Sequence, residues 1–560
     1  EPVYDTGVIV GSTYQFRGGT GTNDFEPFGA KDTVTTADFI ATVKSISETQ
    51  ESFEAITGFS HQETVSLSAL LFDQAGNFSL GDTSATILDI DLEANDPNPV
   101  NITSSNANSS SLAKTGDVVT ITMTYDEDVN TPNISLEGNT TTVTDLGSEQ
   151  FRADYELTGS EPEGILNFLI EVTDYMGNPG DHNATTDGSQ VTYDRTLPTL
   201  SPVSIASNNA DTTWAKVNDV VSVTFTASEN LFSRSATIVT QDASIIDLGS
   251  NQFRADYTMI ETDPEGEAAF EILFSDLAGN DGNPVSLTTN NTRVIFDRTP
   301  PSDFTVGSFV ATGGNEITDI WNLTNTGMDI NVPVANDTTL KNGTIQLLGK
   351  IGSNDFGLLG TSMTILTSDL NTDKIISISG EDIEGISGFA DGQIIYIKAI
   401  MTDRPGNSTE GSQSNTEVLI DETPAALNPI SISSNNTNSV LAKVGDEITL
   451  TFTASDVLTE AGVTIADQNA TVTDLGANQF QAVYIMVNGD PEGVVGFSIS
   501  FTDVQGNTDD GIDTTSDESQ VTFDNTKPTL NLVSITSDNA GVNCAKVGDT
   551  VSVIFSGEEM

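Results

Sequence analysis

The side chains with chemistry to offer are carboxylates, and they recur. Asp194, Asp297, Asp421 and Asp524 each follow an apolar residue at the end of a patterned segment. Asp174, Asp276, Asp403 and Asp503 each precede a Gly-Asn pair by three and four positions, as does Asp73. Glu163, Glu265 and Glu492 each sit in a Pro-Glu-Gly triplet. Hard cations take several oxygen ligands carrying net negative charge. These positions are therefore candidate calcium ligands, and Ca2+ is the one cofactor the chain suggests. No EF-hand loop accompanies them. The competing reading is that each Asp holds its own turn and the remaining carboxylates are solvated.

Other reactive groups are sparse. Cys544 stands where sister segments have Leu112, Trp214 and Leu441, which predicts a buried, inert thiol. His61 and His182 fall in different segments, in turn-like surroundings, with no shared role expected. Ser is abundant, yet no His recurs with it to make a Ser-His-Asp triad. Among 82 Asp plus Glu, some pair always lies at a glycosidase spacing, so that argument has no weight. No Gly-rich phosphate loop opens a helix. The chain is not expected to be an enzyme.

Composition narrows the partners. Against 82 acids stand 19 Lys plus Arg, a net charge of −63 over 560 residues. A nucleic-acid binder needs a basic surface, and anionic lipid repels such a chain. Apolar stretches fall well short of the roughly 20 residues that span a bilayer. Neither nucleic-acid binding nor membrane insertion is expected. At physiological salt the Debye length is about 8 Å, so repulsion is mainly short-range, and a saline habitat would make the charge tolerable. High charge with 36% hydrophobic residues could mean disorder. Twenty-six Phe and strict alternation in short runs argue for a fold instead.

The elements that must position these acids read as strands. Val119, Ile121, Met123 and Tyr125 alternate with polar residues, as do Val221, Val223, Phe225 and Ala227, and Ile448, Leu450, Phe452 and Ala454. A period of two marks half-buried strands. Phe151-Ala153-Tyr155 and Phe168-Ile170-Val172 mark further strands and recur in the sister segments. No long helical periodicity is present; a short helical turn is expected around Asp382–Glu384.

Self-comparison gives the organisation. Leu112-Ala113-Lys114 returns as Trp214-Ala215-Lys216, Leu441-Ala442-Lys443 and Cys544-Ala545-Lys546. A longer type of repeat carries Glu54–Phe59 onto Glu384–Phe389, a shift of 330 that also carries Asp73, Gly76 and Asn77 onto Asp403, Gly406 and Asn407. The order is long, short, short, long, short, short. About seven strands in roughly 100 residues is the immunoglobulin-like pattern. The expected fold class is all-β: tandem immunoglobulin-like antiparallel β-sandwich domains in an extended array. The expected domains are a long unit 1–97, truncated at its start, short domains 98–199 and 200–301, a long domain 302–425, a short domain 426–528, and the start of another short one, 529–560. Both ends cut the repeat, so the chain is expected to be a piece of a longer protein.

The Asp-x-x-Gly-Asn turn, placed between the last two strands, resembles that of the bacterial immunoglobulin-like (Big-type) repeats of large cell-surface, adhesin-like proteins. The joints Asp194-Arg195-Thr196-Leu197-Pro198, Asp297-Arg298-Thr299-Pro300-Pro301, Asp421-Glu422-Thr423-Pro424 and Asp524-Asn525-Thr526-Lys527-Pro528 look like that family's Asp-x-Thr-x-Pro linkers. The resemblance covers nearly the whole chain. It implies a non-catalytic, extracellular or cell-surface protein, a stalk, adhesin or surface-layer component. It also implies hinges stiffened by calcium where a joint Asp meets a loop carboxylate of the adjoining unit. Partners would be cell-surface or matrix ligands, glycans, or further copies of itself. The alternative is an accessory or carbohydrate-binding array of a secreted polysaccharide-acting enzyme. Under that alternative Trp321 is the residue expected to touch a ligand, whereas Trp214, at a Leu or Cys position of its sisters, reads as core.

Overall fold

Alternation in the sequence becomes alternation in burial. In the computed structural model, which describes residues 10–40, 44–94, 96–541 and 543–558, the strand Val118–Thr124 buries every second residue: Val119, Ile121 and Met123 point inward and the Thr side chains outward. Each fully buried apolar side chain of this kind contributes about 1.5–3 kcal/mol. The chain is all-β, with immunoglobulin-like sandwiches in tandem, and it divides into two compact units.

The first compact unit comprises Glu1–Ala206, Val220–Thr258 and Glu267–Val294. Its first sheet runs Glu26–Thr33, Thr13–Thr20, Thr64–Phe72, Phe78–Leu80, over a small core of Phe28, Ile56, Val65 and Ile90. Residues 100–182 contain two facing four-stranded sheets. One is Thr142–Gly147, Gln150–Glu156, Val118–Thr124, Val100–Ser104; the other is Asn139–Thr140, Asn133–Leu136, Phe168–Thr173, Pro179–His182. Ile121 and Phe151 of one sheet and Ile134 and Ile170 of the other share a single core, which is what makes this a sandwich. Leu200–Ser207, Val220–Ala227, Gln252–Thr258 and Ser244–Gly249 repeat the first of these sheets in the same order.

The second compact unit comprises Ser207–Asp219, Met259–Gly266 and Ile295–Met560. One core gathers Phe309, Trp321, Met328, Ile345 and Ile397; a separate one gathers Ile432, Leu450, Phe452, Phe480 and Ile499. The expected helical turn is present as Gly380–Glu384, capped by the Ser379 side chain.

Three details depart from the sequence reading. The strand that ends in the joint Asp pairs parallel on one side, Thr192–Tyr193 with Leu112–Ala113 and Thr522–Phe523 with Leu441–Ala442, and antiparallel on the other, with Gly164–Ile165 and Gly493–Val494. The Asp-x-x-Gly-Asn turn at Asp174 lies one strand earlier than expected, leading into Pro179–His182 before Thr192–Tyr193 closes the repeat, whereas the turn at Asp276 lies between the last two strands, Phe270–Asp276 and Ile295–Phe296, as expected. Cys544 is exposed. Its sister Leu441 is 45% exposed beside a buried Ala442, because in this two-residue strand the Ala faces the core and its predecessor faces outward. Among the described residues no helix is long and apolar enough to cross a membrane.

Candidate metal centres at the joints

Each turn Asp builds its own loop first. Asp174 Oδ1 accepts from the main-chain N–H groups of Gly177 and Asn178, and Oδ2 accepts from the Asn178 side chain at 2.7 Å. The Asn main-chain and side-chain groups are held the same way at 276–280 and 403–407. At 503–507, Asp503 Oδ1 accepts from the main-chain N–H groups of Gln505 and Asn507, while Oδ2 accepts from that of Ala425. Gly279 sits at φ +84°, where a side chain would be strained. The result is a rigid turn with its carboxylate turned inward: Asp174, Asp276, Asp403 and Asp503 are 0–3% exposed.

The clamped Asn then reaches the end of the preceding repeat. Asn178 donates to Asp91 Oδ1 at 3.2 Å, Asn280 to the Asp194 carbonyl at 3.0 Å, Asn407 to the Asp297 carbonyl at 3.0 Å, and Asn507 to Asp421 Oδ1 at 3.3 Å. Seven of the eight acids singled out from the sequence therefore meet at joints. Asp524 does not; its Oδ1 accepts from the Thr526 N–H, and no turn Asp faces it among the described residues.

Two joints concentrate three carboxylates each. Asp91, Glu127 and Asp174 place one oxygen apiece within 4.8 Å of the others, and so do Asp194, Glu229 and Asp276. Glu127 and Glu229 were missed as ligands, although the offset of 102 that carries Asp174 onto Asp276 also carries Glu127 onto Glu229. Asp91 was legible in principle, since the shift of 330 carries Asp421 onto it. Such crowding disfavours ionisation. Burial raises Asp194, and repulsion from Asp276 and Glu163 adds to it against one bond from the Thr196 N–H. Burial likewise raises Glu229, with repulsion from Asp194 and Asp276. At the next joint burial pushes Asp297 up to about 6, with repulsion from Asp403, Glu265 and Asp337. Asp297 is 6% exposed and its Oδ2 has no hydrogen-bond partner. Burial also raises Asp403 and Asp421. At Asp174, as at Asp73, the turn's own hydrogen bonds outweigh burial and hold the carboxyl below its usual range. Three carboxylate oxygens around one point at each of two joints, and an unpartnered buried carboxylate oxygen at Asp297 in a third, are the kind of donors Ca2+ takes.

The Pro-Glu-Gly acids act elsewhere. Glu163 accepts from the Thr196 hydroxyl and main chain of its own joint, Glu265 from Thr299, and Glu492 from Thr526. They fasten the exit of their own repeat instead of reaching the next one. The residue before each of these triplets, overlooked in the sequence, closes a second loop: Glu161 accepts from Tyr155 Oη at 2.7 Å, and Asp490 from Tyr484 Oη at 3.1 Å.

A cation-independent contact accompanies the acids. Asn106 donates to the Ala278 carbonyl, Asn209 to that of Pro405 and Asn322 to that of Gln505, all at 2.8–2.9 Å. Lys216 Nζ donates to the Gly406 carbonyl at 2.8 Å. Arg404 pairs with Asp211 at 2.7 Å and lies over the Trp214 ring. The two Trp thus exchange their expected roles. Trp214 is half-buried at a joint, while Trp321 is 0% exposed and donates its indole N–H to Glu422 at 3.1 Å. The register explains this: Trp321 pairs with Ile420 as Ala215 pairs with Phe296, so it occupies the inward position and Trp214 the outward one. The two His fall at one joint, His61 beside Asp91 at 3.4 Å and His182 beside Asp96 at 3.6 Å.

No protein-family profile and no curated protein matches the chain. Among solved structures it is similar to a Ca2+-stabilised adhesin that helps an Antarctic bacterium reach out and bind ice, at 16% identity over 77% of this chain and 100% of that one, TM-score 0.31. It is similar to a tetra-tandem repeat from the extending region of a large adhesion protein, at 18% identity over 76% and 100%, TM-score 0.24. A 1.5-MDa bacterial ice-binding adhesin matches at 13% identity over 60% and 100%, TM-score 0.28. These neighbours are adhesin repeats; at TM-scores this low they carry no argument about what this chain does.

Proposed function

We infer that the chain is a non-catalytic part of an extracellular, cell-surface repeat protein, a stalk, adhesin or surface-layer component whose joints are stiffened by calcium. Its domains run 1–97, 98–199, 200–301, 302–425, 426–528 and 529–560. The observation that carries this reading is repetition of one joint: four times a clamped Asn reaches the terminal Asp of the repeat before it. Asp91, Glu127 and Asp174 hold one cation, Asp194, Glu229 and Asp276 a second, and Asp297 with Asp403 a third. A bound cation would supply positive charge that cancels carboxylate repulsion. The residues themselves orient the oxygens and exclude water. No constellation suited to catalysis recurs with the same regularity. The rival reading as sugar-binding modules of an enzyme loses its one favoured contact, because Trp321 is buried.

Calorimetric titration of the chelator-treated chain with calcium tests this. Saturable binding that weakens in Asp276→Asn supports it. Absence of binding at millimolar calcium removes the joint cations from the account.

A further inference from the structure

We propose that the outer face of one sheet in residues 302–425 is a docking site for an acidic glycan, one bearing carboxylate groups on its sugar rings. Thr344–Ile351 and Ile394–Thr402 lie side by side, with Lys350 opposite Tyr396 and Leu348 opposite Lys398. Ile345, Leu347, Ile351, Ile395, Ile397 and Ala399 face the core, so alternation sends Lys350, Tyr396 and Lys398 to the outside. There the cations gather on aromatic rings. Lys350 Nζ lies 5.0 Å from the Phe356 centroid and 5.1 Å from that of Tyr396, and Lys398 Nζ lies 4.9 Å from Phe356. Two ammonium groups share one ring.

Charge identifies the missing partner. Lys398 pairs with Glu410 at 2.9 Å, whereas Lys350 has no carboxylate partner among the described residues. In a chain with 82 acids and 19 Lys plus Arg, neighbouring ammonium groups with so little counter-charge form a local anion site on a surface that otherwise repels anions. Phe356 and Tyr396 are half-buried, and Leu358 beside them is 77% exposed. This gives the C–H face of a sugar ring an apolar floor next to the ammonium groups. A ligand with carboxylates spaced along a flat, partly apolar chain satisfies both halves of the patch. The patch is not part of the repeated scaffold: at the same register the first long repeat pairs Gly19 with Ser66 and Arg17 with Ser68.

The proposal rests on the reading of the chain as a surface array and names its ligand class. The test uses the full chain in chelator, which keeps it independent of the joint cations. Tetragalacturonate and its fully methyl-esterified, uncharged counterpart are titrated at physiological salt. Binding of the charged form only is expected, weakened by about tenfold or more, a difference of about 1.4 kcal/mol, in Lys350→Gln/Lys398→Gln. Lys341→Gln, elsewhere on the surface, should bind as the parent does. Thermal unfolding of each variant separates lost binding from lost fold. Equal binding of both probes, no binding, or an unaltered double variant overturns the proposal. So does a double variant that loses only self-association of the chain, which would assign the patch to an acidic protein surface.

Discussion

Asn280 is held by the carboxylate of Asp276 at 2.9 Å and spends its second amide proton on the carbonyl of Asp194 at 3.0 Å. One buried side chain thus closes a turn and fastens it to the preceding repeat.

Asn280→Ala should lower stability by about 1–3 kcal/mol, the penalty for leaving buried acceptors unpaired. Denaturant unfolding measures it. Asn280→Asp should be worse in chelator, because it adds a carboxylate beside Asp194, Glu229 and Asp276, and should recover with calcium. A variant indifferent to calcium would contradict the arrangement.

Asp297 sets a pH dependence. Its folded pKa of about 6 lies above its ordinary 3.8, so the folded state binds that proton more tightly. The associated stability is fully present below about pH 4 and is lost as pH rises through about 6. In chelator, Asp297→Asn should therefore flatten stability between pH 4 and 7 by about 1 kcal/mol once solvent screening is counted. Denaturation midpoints across that range, for parent and variant, check it. Equal slopes would contradict it. A bound cation would hold the carboxylate ionised and remove the effect.

The two Trp should respond in opposite order to their sequence-based ranking. Trp321→Ala empties a core position and should cost about 3–5 kcal/mol. Trp214→Ala removes a half-buried ring beneath Arg404 and should cost about 1 kcal/mol. Comparison of unfolding free energies decides this, and a larger loss at Trp214 would contradict the register.

The repeats, the strands and seven of the eight joint acids were legible because a period of two and a fixed offset are one-dimensional signals. The same signals misjudged Trp214, Trp321 and Cys544. Which of two adjacent residues faces inward in a two-residue strand depends on its pairing partner, here Ile295–Phe296 or Val418–Ile420, and too little alternation exists to reveal it. Glu127 and Glu229 also recur at the offset of 102 that relates Asp174 to Asp276 and were overlooked; what the sequence does hide is their proximity to Asp174 and Asp276, which arises only through the fold. The Pro-Glu-Gly acids were noticed because they repeat, yet what repeats there is a fastening within one repeat, not a bridge to the next.

Cys544 should react with a thiol reagent in the native chain as fast as an unstructured peptide thiol does, since it is exposed. Labelling that requires denaturant would restore the buried site expected from its sisters.

Arg195 and Arg298 directly follow joint Asp residues, which places trypsin sites at the joints themselves. The most direct measurement is the rate of tryptic cleavage after these two residues in chelator and in millimolar calcium, each relative to cleavage after the exposed Lys341 in the same digest. Stiffened joints predict that calcium slows both relative rates by about tenfold, which corresponds to about 1.4 kcal/mol less favourable local opening. Relative rates that do not change, or that rise, would contradict calcium-stiffened joints.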